Sequence, residues 1–195
     1  MASWTEFASD EPRLAESIRG LLQQYGPGLG YLATVRADGG PRVHPVSPVI
    51  TPDGLYCFVV DSPKRRDLER DGRYALHSFP PEDSDDEAYV AGRARPVTDE
   101  ARVAELADTL RAAPQVDWRL FEFTVDVAML ARRGDGPGPL TGRPAERPAV
   151  QVWLDPSAAP SPARGSGGSR RARPRRVNQV PVGKQVPLET AVPAP

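Results

Sequence analysis

Two turn tripeptides, Asp38-Gly39-Gly40 and Pro52-Asp53-Gly54, constrain this chain most, because each stands between two short strand-like runs. Asp-Gly between alternating segments is a strong short-range hairpin signal, since glycine supplies the positive φ that such turns need. The first turn joins Tyr31–Arg36, which alternates like a half-buried strand, to Arg42–Ile50. Within the latter, Pro45 and Pro48 mark an edge or a bulge, because proline has no N–H to give to a central ladder. The second turn leads into Leu55–Val60. Further strands are expected over Arg73–Ser78, Tyr89–Val97, Leu120–Met129 and Val150–Leu154. Two helices interrupt them. Asp10–Tyr25 carries Leu14, Ile18, Leu21 and Leu22 at helical spacing, with Pro12 in its first turn and Gly26 as its stop. Asp99–Ala112 carries Val103, Leu106 and Leu110 on one face. The pattern implies a mainly β fold with short helices (α+β), closed as a small antiparallel barrel.

Charge divides the chain. From residue 156 onward there are seven basic residues and one acidic residue, a net of +6; the total is −1, so residues 1–155 carry −7. The segment 156–195 is rich in Pro, Gly, Ser, Ala and Arg and lacks a periodic apolar face, which predicts a disordered basic tail whose removal leaves folding intact. Its run Arg170-Arg171-Ala172-Arg173-Pro174-Arg175-Arg176 lacks interleaved aromatics for base stacking. A nucleic-acid module would rest on that tail alone, since the body is acidic. Residues 1–9 read as a polar extension and 10–155 as one folded domain. No run of 18 apolar residues implies a membrane span. The lone Cys57 sits in an apolar stretch as a buried small hydrophobe. The absence of a secretory pattern places the chain in the cytoplasm.

The stretch Asp61-Ser62-Pro63-Lys64-Arg65-Arg66-Asp67-Leu68 is the most informative. A strand ends, a hydroxyl residue follows, and cations gather where a helical turn begins, which is the composition of an anion site. Arg36 and Arg42 flank the first hairpin and are placed to add bidentate donors. The plainer reading has Lys64, Arg65 and Arg66 as solvated cations paired with Asp67 and Glu69. Arg70 reads as an exposed charge of little consequence. His44 shares the side-chain orientation of Arg42 on a strand, while His77 reads as a structural strand residue. The two histidines and the acidic loop Glu82–Glu87 show no metal-ligand spacing, and no triad, P-loop or dinucleotide fingerprint is present.

The run Leu32-Ala33-Thr34-Val35-Arg36, then Asp38–Val43, then Ser62-x-Lys64-x-x-Asp67-Leu68, then Asp71-x-Arg73-x-Ala75-Leu76-His77-Ser78, resembles the pyridoxamine 5′-phosphate oxidase-like family. Gly92-Arg93-Ala94 and Trp153 add to the likeness, which covers about residues 10–155. The resemblance implies an antiparallel split β-barrel of the FMN-binding type, a homodimer with cofactor sites at the subunit interface, and a phosphate-bearing cofactor, FMN or the deazaflavin coenzyme F-420. It also implies that Arg42 to Val46, including Val43 and His44, lie along the cofactor, that Ser62 and Lys64 hold its phosphate, and that Arg65 assists. The oxidase's C-terminal substrate segment with an Arg-x-His element is not found. The function so implied is oxidoreduction of a small-molecule substrate; the alternative is a non-catalytic flavin- or deazaflavin-binding carrier of the same fold.

Overall fold

The structure is a computed structural model, and it describes residues 1–26, 28–82, 84–109, 112, 113, 115–132 and 149–157. The basic tail beyond Ser157 lies outside the described residues. The elements run α1 (Trp4–Asp10), α2 (Pro12–Gln23), β1 (Gly30–Val35), β2 (Pro41–Val46), β3 (Val49–Thr51), β4 (Gly54–Val60), α3 (Pro63–Arg70), β5 (Arg73–Ser78), β6 (Glu87–Pro96), α4 (Glu100–Thr109), β7 (Trp118–Phe123), β8 (Val127–Arg132) and β9 (Ala149–Leu154).

All strand pairings are antiparallel. The main path is β2-β1-β5-β6-β7-β4-β3, with β8 and β9 branching from β6. Its two end strands, β2 and β3, are joined by only Ser47 and Pro48, so the sheet has to curl until its edges meet. The expected strand Arg42–Ile50 is thus two strands, divided at Pro48, where the missing N–H ends the ladder. The curled sheet encloses Leu32, Leu55, Leu76, Val90 and Phe121, all nearly inaccessible to water.

The split arises on β6. The first half of this strand pairs with β8 and the second half with β7, along the same edge. Between Ala91 and Ala94 it spends Gly92 and Arg93; the opposing chain spends Thr124, Val125 and Asp126. This is a one-residue bulge, which bends the sheet and ends regular pairing. The expected continuous strand Leu120–Met129 is interrupted here. Beyond the bulge β7 continues to β4 and β8 to β9, so the sheet forks.

Helix α2 lays Leu14, Ala15, Ile18 and Leu22 into the core. The N-terminal residues, expected as a polar extension, instead form α1. Ser3 and Glu6 make a capping box at its start. Its Trp4 and Phe7 are buried, and the Phe7 ring meets Trp153 of β9 at 4.9 Å. Helix α4 covers the opposite wall through Leu106, which clusters with Val49, Tyr56 and Leu120.

The outer face of the branch β2-β1-β5-β6-β8-β9 carries two full cross-strand rows that are apolar but for His77. One reads Val43, Ala33, Ala75, Ala91, Val127, Leu154; the next reads Pro45, Tyr31, His77, Tyr89, Met129, Val152. Leu154 is 63% exposed and Val43 58%. Six strands at about 4.8 Å spacing make this face roughly 24 Å wide.

Candidate functional site

Helix α3 starts where β4 ends. Ser62 is its N-cap residue in extended backbone, and Pro63 takes the first helical position, where a missing N–H costs nothing. The Ser62 hydroxyl does not cap the helix: its Oγ donates to the carbonyl of Val60 at 2.8 Å. Lys64, Asp67 and Leu68 share one face of α3 by helical spacing. Asp67 and Leu68 are buried, and Lys64 is half-buried. Lys64 has no hydrogen bond or ion pair among the described residues. Burial pushes the Cys57 thiol of β4 up to about 12, and the nearby Lys64 ammonium opposes that shift. Cys57 therefore stays a neutral thiol.

Asp67 organises the neighbourhood. Only 3% exposed, it accepts Thr34 Oγ1 at 3.0 Å and Arg42 Nε at 2.7 Å on one oxygen, and Arg70 at 3.2 Å on the other. Burial alone would raise its carboxyl; the donors from Arg42, Thr34 and Arg70 outweigh that and hold it below the usual carboxylate range. Arg42 is held only through Nε, so its two terminal nitrogens have no protein partner among the described residues. Arg70, expected as idle, also donates to the carbonyl of Val35. Sequence reasoning missed this role, whose signal was the aspartate three residues before Arg70 on a helix.

A cleft of about 410 Å³ opens between the β1–β2 turn and α3. It is lined by Arg36, Ala37, Asp38, Arg42, Pro63, Arg66, Asp67 and Arg70. Four guanidinium groups against two carboxylates leave it positive. Arg36 pairs with Asp38 at 2.8 Å and Arg66 with Asp61 at 3.1 Å, in pairs that are about half exposed.

The residues expected from sequence are partly brought together. Arg42 and His44 lie on the inner side of β2, opposite the buried Thr34 and Leu32. His44 is half-buried and has no hydrogen-bond partner among the described residues. Val43 points the other way, onto the outer apolar face. Arg65 is drawn off: it forms a two-pronged pair with Asp117, at 2.8 and 3.1 Å, and also meets Asp61 at 3.1 Å. The plainer pairing of this cluster with Asp67 and Glu69 does not occur either; Asp67 takes Arg42 and Arg70, and Glu69 takes Arg119. His77 keeps Nδ1 2.8 Å from the Ser78 carbonyl and Nε2 3.4 Å from Glu87, on the outer face.

A curled antiparallel sheet forked at a bulge, with a cationic cleft where α3 begins, defines a split-barrel protein. The sequence pattern of the family described as pyridoxamine 5′-phosphate oxidase matches residues 14–127, and the chain belongs to that family. Two solved structures at TM-scores above 0.5 share the fold, and a third is less similar. A heme binding protein from Mycobacterium smegmatis matches at TM-score 0.52 and 20% identity, over 74% of this chain and 59% of that one. HupZ of Group A Streptococcus matches at TM-score 0.52 and 18% identity, over 63% of this chain and 98% of that one. HutZ, the heme storage protein from Vibrio cholerae, matches at TM-score 0.43 and 19% identity, over 59% of this chain and 89% of that one. No curated protein matches. Among the described residues, no helix is long and apolar enough to cross a membrane.

Proposed function

We propose that this chain binds FMN or the deazaflavin coenzyme F-420 and uses it to oxidise or reduce a small-molecule substrate. The observation that carries the reading is Lys64, a half-buried ammonium without an anionic partner among the described residues, beside the start of α3. Arg42, whose Nε bonds Asp67 three residues along α3 from Lys64, offers two nitrogens without a protein partner among the described residues. A phosphate suits charged donors gathered about the start of a helix. Ser62 belongs to the same loop, and its hydroxyl can exchange the Val60 carbonyl for a ligand. Arg65 takes no part in this reading, because Asp117 and Asp61 occupy it. The bound cofactor would supply the hydride or electron chemistry; the protein orients it and sets its electrostatics. Val43 and His44 flank the free edge of β2, along which a planar ring system fits.

The reading includes a homodimer joined through the outer face described above. Contiguous apolar surface of this breadth marks an association site, and a partner there would cover Val43 and bring a second wall to the β2 edge. Light scattering at micromolar concentration is expected to report twice the 21.1 kDa chain mass. A monomer that still binds cofactor would defeat this part. A reducing compartment, the cytoplasm, suits the buried unpaired thiol of Cys57.

Lys64→Ala tests the whole. A charge-assisted contact of this kind is worth about 1.5–3 kcal/mol, or about 10- to 150-fold in affinity. The loss should shrink for riboflavin, which lacks the phosphate. Arg19→Ala, an exposed residue paired with Glu16, is the matched control. Unchanged binding of FMN and of the deazaflavin in Lys64→Ala would overturn the phosphate assignment. The absorption spectrum of the purified protein separates flavin from deazaflavin. A Soret band instead would replace this reading with haem binding, the property named for the mycobacterial relative. Turnover with a bound cofactor separates the enzyme from the carrier.

A further inference from the structure

The outer face of the forked sheet carries opposite charge at its two ends. Strand β6 lies in the middle of that face and turns Glu87, Tyr89, Ala91 and Arg93 outward, in alternation with the buried Ala88, Val90 and Ala94. Arg93 stands at one end, across from Arg73 of β5. Arg73 takes both oxygens of the Asp71 carboxylate, at 2.6 and 2.8 Å, whereas Arg93 reaches only the Asp71 carbonyl, at 3.3 Å. Arg93 has no ion pair among the described residues. Glu87 stands at the other end, across from Ala131 of β8. Its one charged partner among the described residues is His77 Nε2 at 3.4 Å, and that pair forms only when the imidazole is protonated. The loop that enters β6 at this end adds Glu82, Asp85 and Asp86. Six residues of extended chain separate Glu87 from Arg93, roughly 20 Å, and the apolar rows fill the space between.

Two copies that meet through the same face are related by a two-fold axis lying in that face, and aligned sheets give the axis two settings. An axis along the strands lays each end of the face on the same end of the partner. The strand order then reverses, β6 meets the partner's β5, and Arg93 faces the partner's Arg73, with the acidic ends also together. An axis across the strands exchanges the ends. Strand β6 then lies antiparallel over the partner's β6, and Arg93 meets the partner's Glu87. Like charges brought together across an interface are costly, and opposite charges fix register. Resting on the homodimer reading above, we propose that the two-fold axis runs across the strands near Val90, midway between residues 87 and 93. Two Arg93–Glu87 pairs, one from each direction, then close the ends of the interface. The apolar rows supply the affinity, and the charged ends set the orientation.

The test is charge reversal in the full chain. Arg93→Glu and Glu87→Arg are made singly and together, with fold verified by circular dichroism, and the dimer dissociation constant is measured by sedimentation equilibrium at low salt. Each single variant sets like charge against like at both pairs, and its dimer is expected to weaken about 10- to 100-fold. The double variant restores opposite charges and should return to within about threefold of the parent. An equimolar mixture of the two single variants is the sharper arm. Every heterodimer in it carries two opposite-charge pairs, so the mixture should dimerise about as tightly as the parent, which no effect confined to one chain produces. High salt should narrow all these differences. Tighter dimers in both single variants would mean that like charges face each other in the parent, which overturns the proposal in favour of an axis along the strands. Single variants equal to the parent, or a mixture no tighter than its components, overturn the pairing while the homodimer stands. A parent that stays monomeric removes the homodimer and this pairing with it.

Discussion

Gly92→Ala is expected to destabilise the protein by about 3 kcal/mol or more, the upper range for forcing extra volume into a packed site. For a domain of this size that lowers the melting temperature by about 6–12 °C. A Cβ at Gly92 would stand 2.1 Å from the carbonyl oxygen of Thr124 and 3.1 Å from the amide nitrogen of Asp126. Both are backbone atoms, so no side-chain rotation relieves the clash. Nor can the bulge move away freely. Thr124 N–H donates to Arg93 O at 2.9 Å, Asp126 N–H to Ala91 O at 2.8 Å, and the buried Tyr74 hydroxyl to Thr124 O at 2.9 Å. Gly39→Ala is the comparison. Its φ is +82° with nothing within 4 Å of a Cβ, so it carries only the left-handed penalty of about 1–2 kcal/mol. Thermal unfolding of both variants checks the ranking; equal melting temperatures would remove the close approach as the reason for glycine at 92.

That glycine also illustrates what the sequence made legible. Strands β1, β4 and β5, the two hairpin turns and helix α2 follow from local pattern, because each satisfies its own periodicity and carries its own stop signal. Strand β5 falls on the expected residues, Arg73–Ser78. The fork at Thr124–Asp126 was hidden, because Leu120–Met129 stays apolar through the bulge and only the third strand reveals the extra residue. Helix α1 was missed although its capping box, Ser3 with Glu6, was present; acidic neighbours masked Trp4 and Phe7. The division of labour among the cations was likewise invisible. Spacing puts Lys64, Arg65 and Arg66 in one cluster, but a helix sends them in three directions. Asp117, a distant residue in sequence, removes Arg65 from the group. The side of β2 taken by Arg42 and His44 was legible from strand alternation; that Val43 would join an apolar face six strands wide was not, since that face exists only after the sheet is assembled.

Asp67 is where fold and site depend on the same atoms, and Asp67→Ala should therefore have two effects. It removes a buried carboxylate that accepts three donors, leaving Thr34 without its partner in the core. Breaking a fully buried ion pair costs about 3–5 kcal/mol. Arg42 and Arg70 are 29% and 40% exposed, so water recovers part of that, and about 2–3 kcal/mol is expected. The same change frees the Arg42 guanidinium to rotate, so cofactor affinity should fall even though Asp67 touches no ligand. Acid titration separates this carboxylate from its neighbours. The folded-state value of Asp67 lies below its ordinary value near 4. Its contribution is thus complete above about pH 4 and lost as pH falls through the folded value. Asp67→Asn keeps the shape and some hydrogen bonding but cannot ionise. Its stability should lie below the parent's at neutral pH, and the gap should close as the pH drops below 4. A gap that persists unchanged at acid pH would mean that shape, and not charge, is what Asp67 contributes. If Asp67→Asn instead matches the parent in both stability and cofactor affinity, Arg42 is positioned by β2 alone and the aspartate has no part in the site.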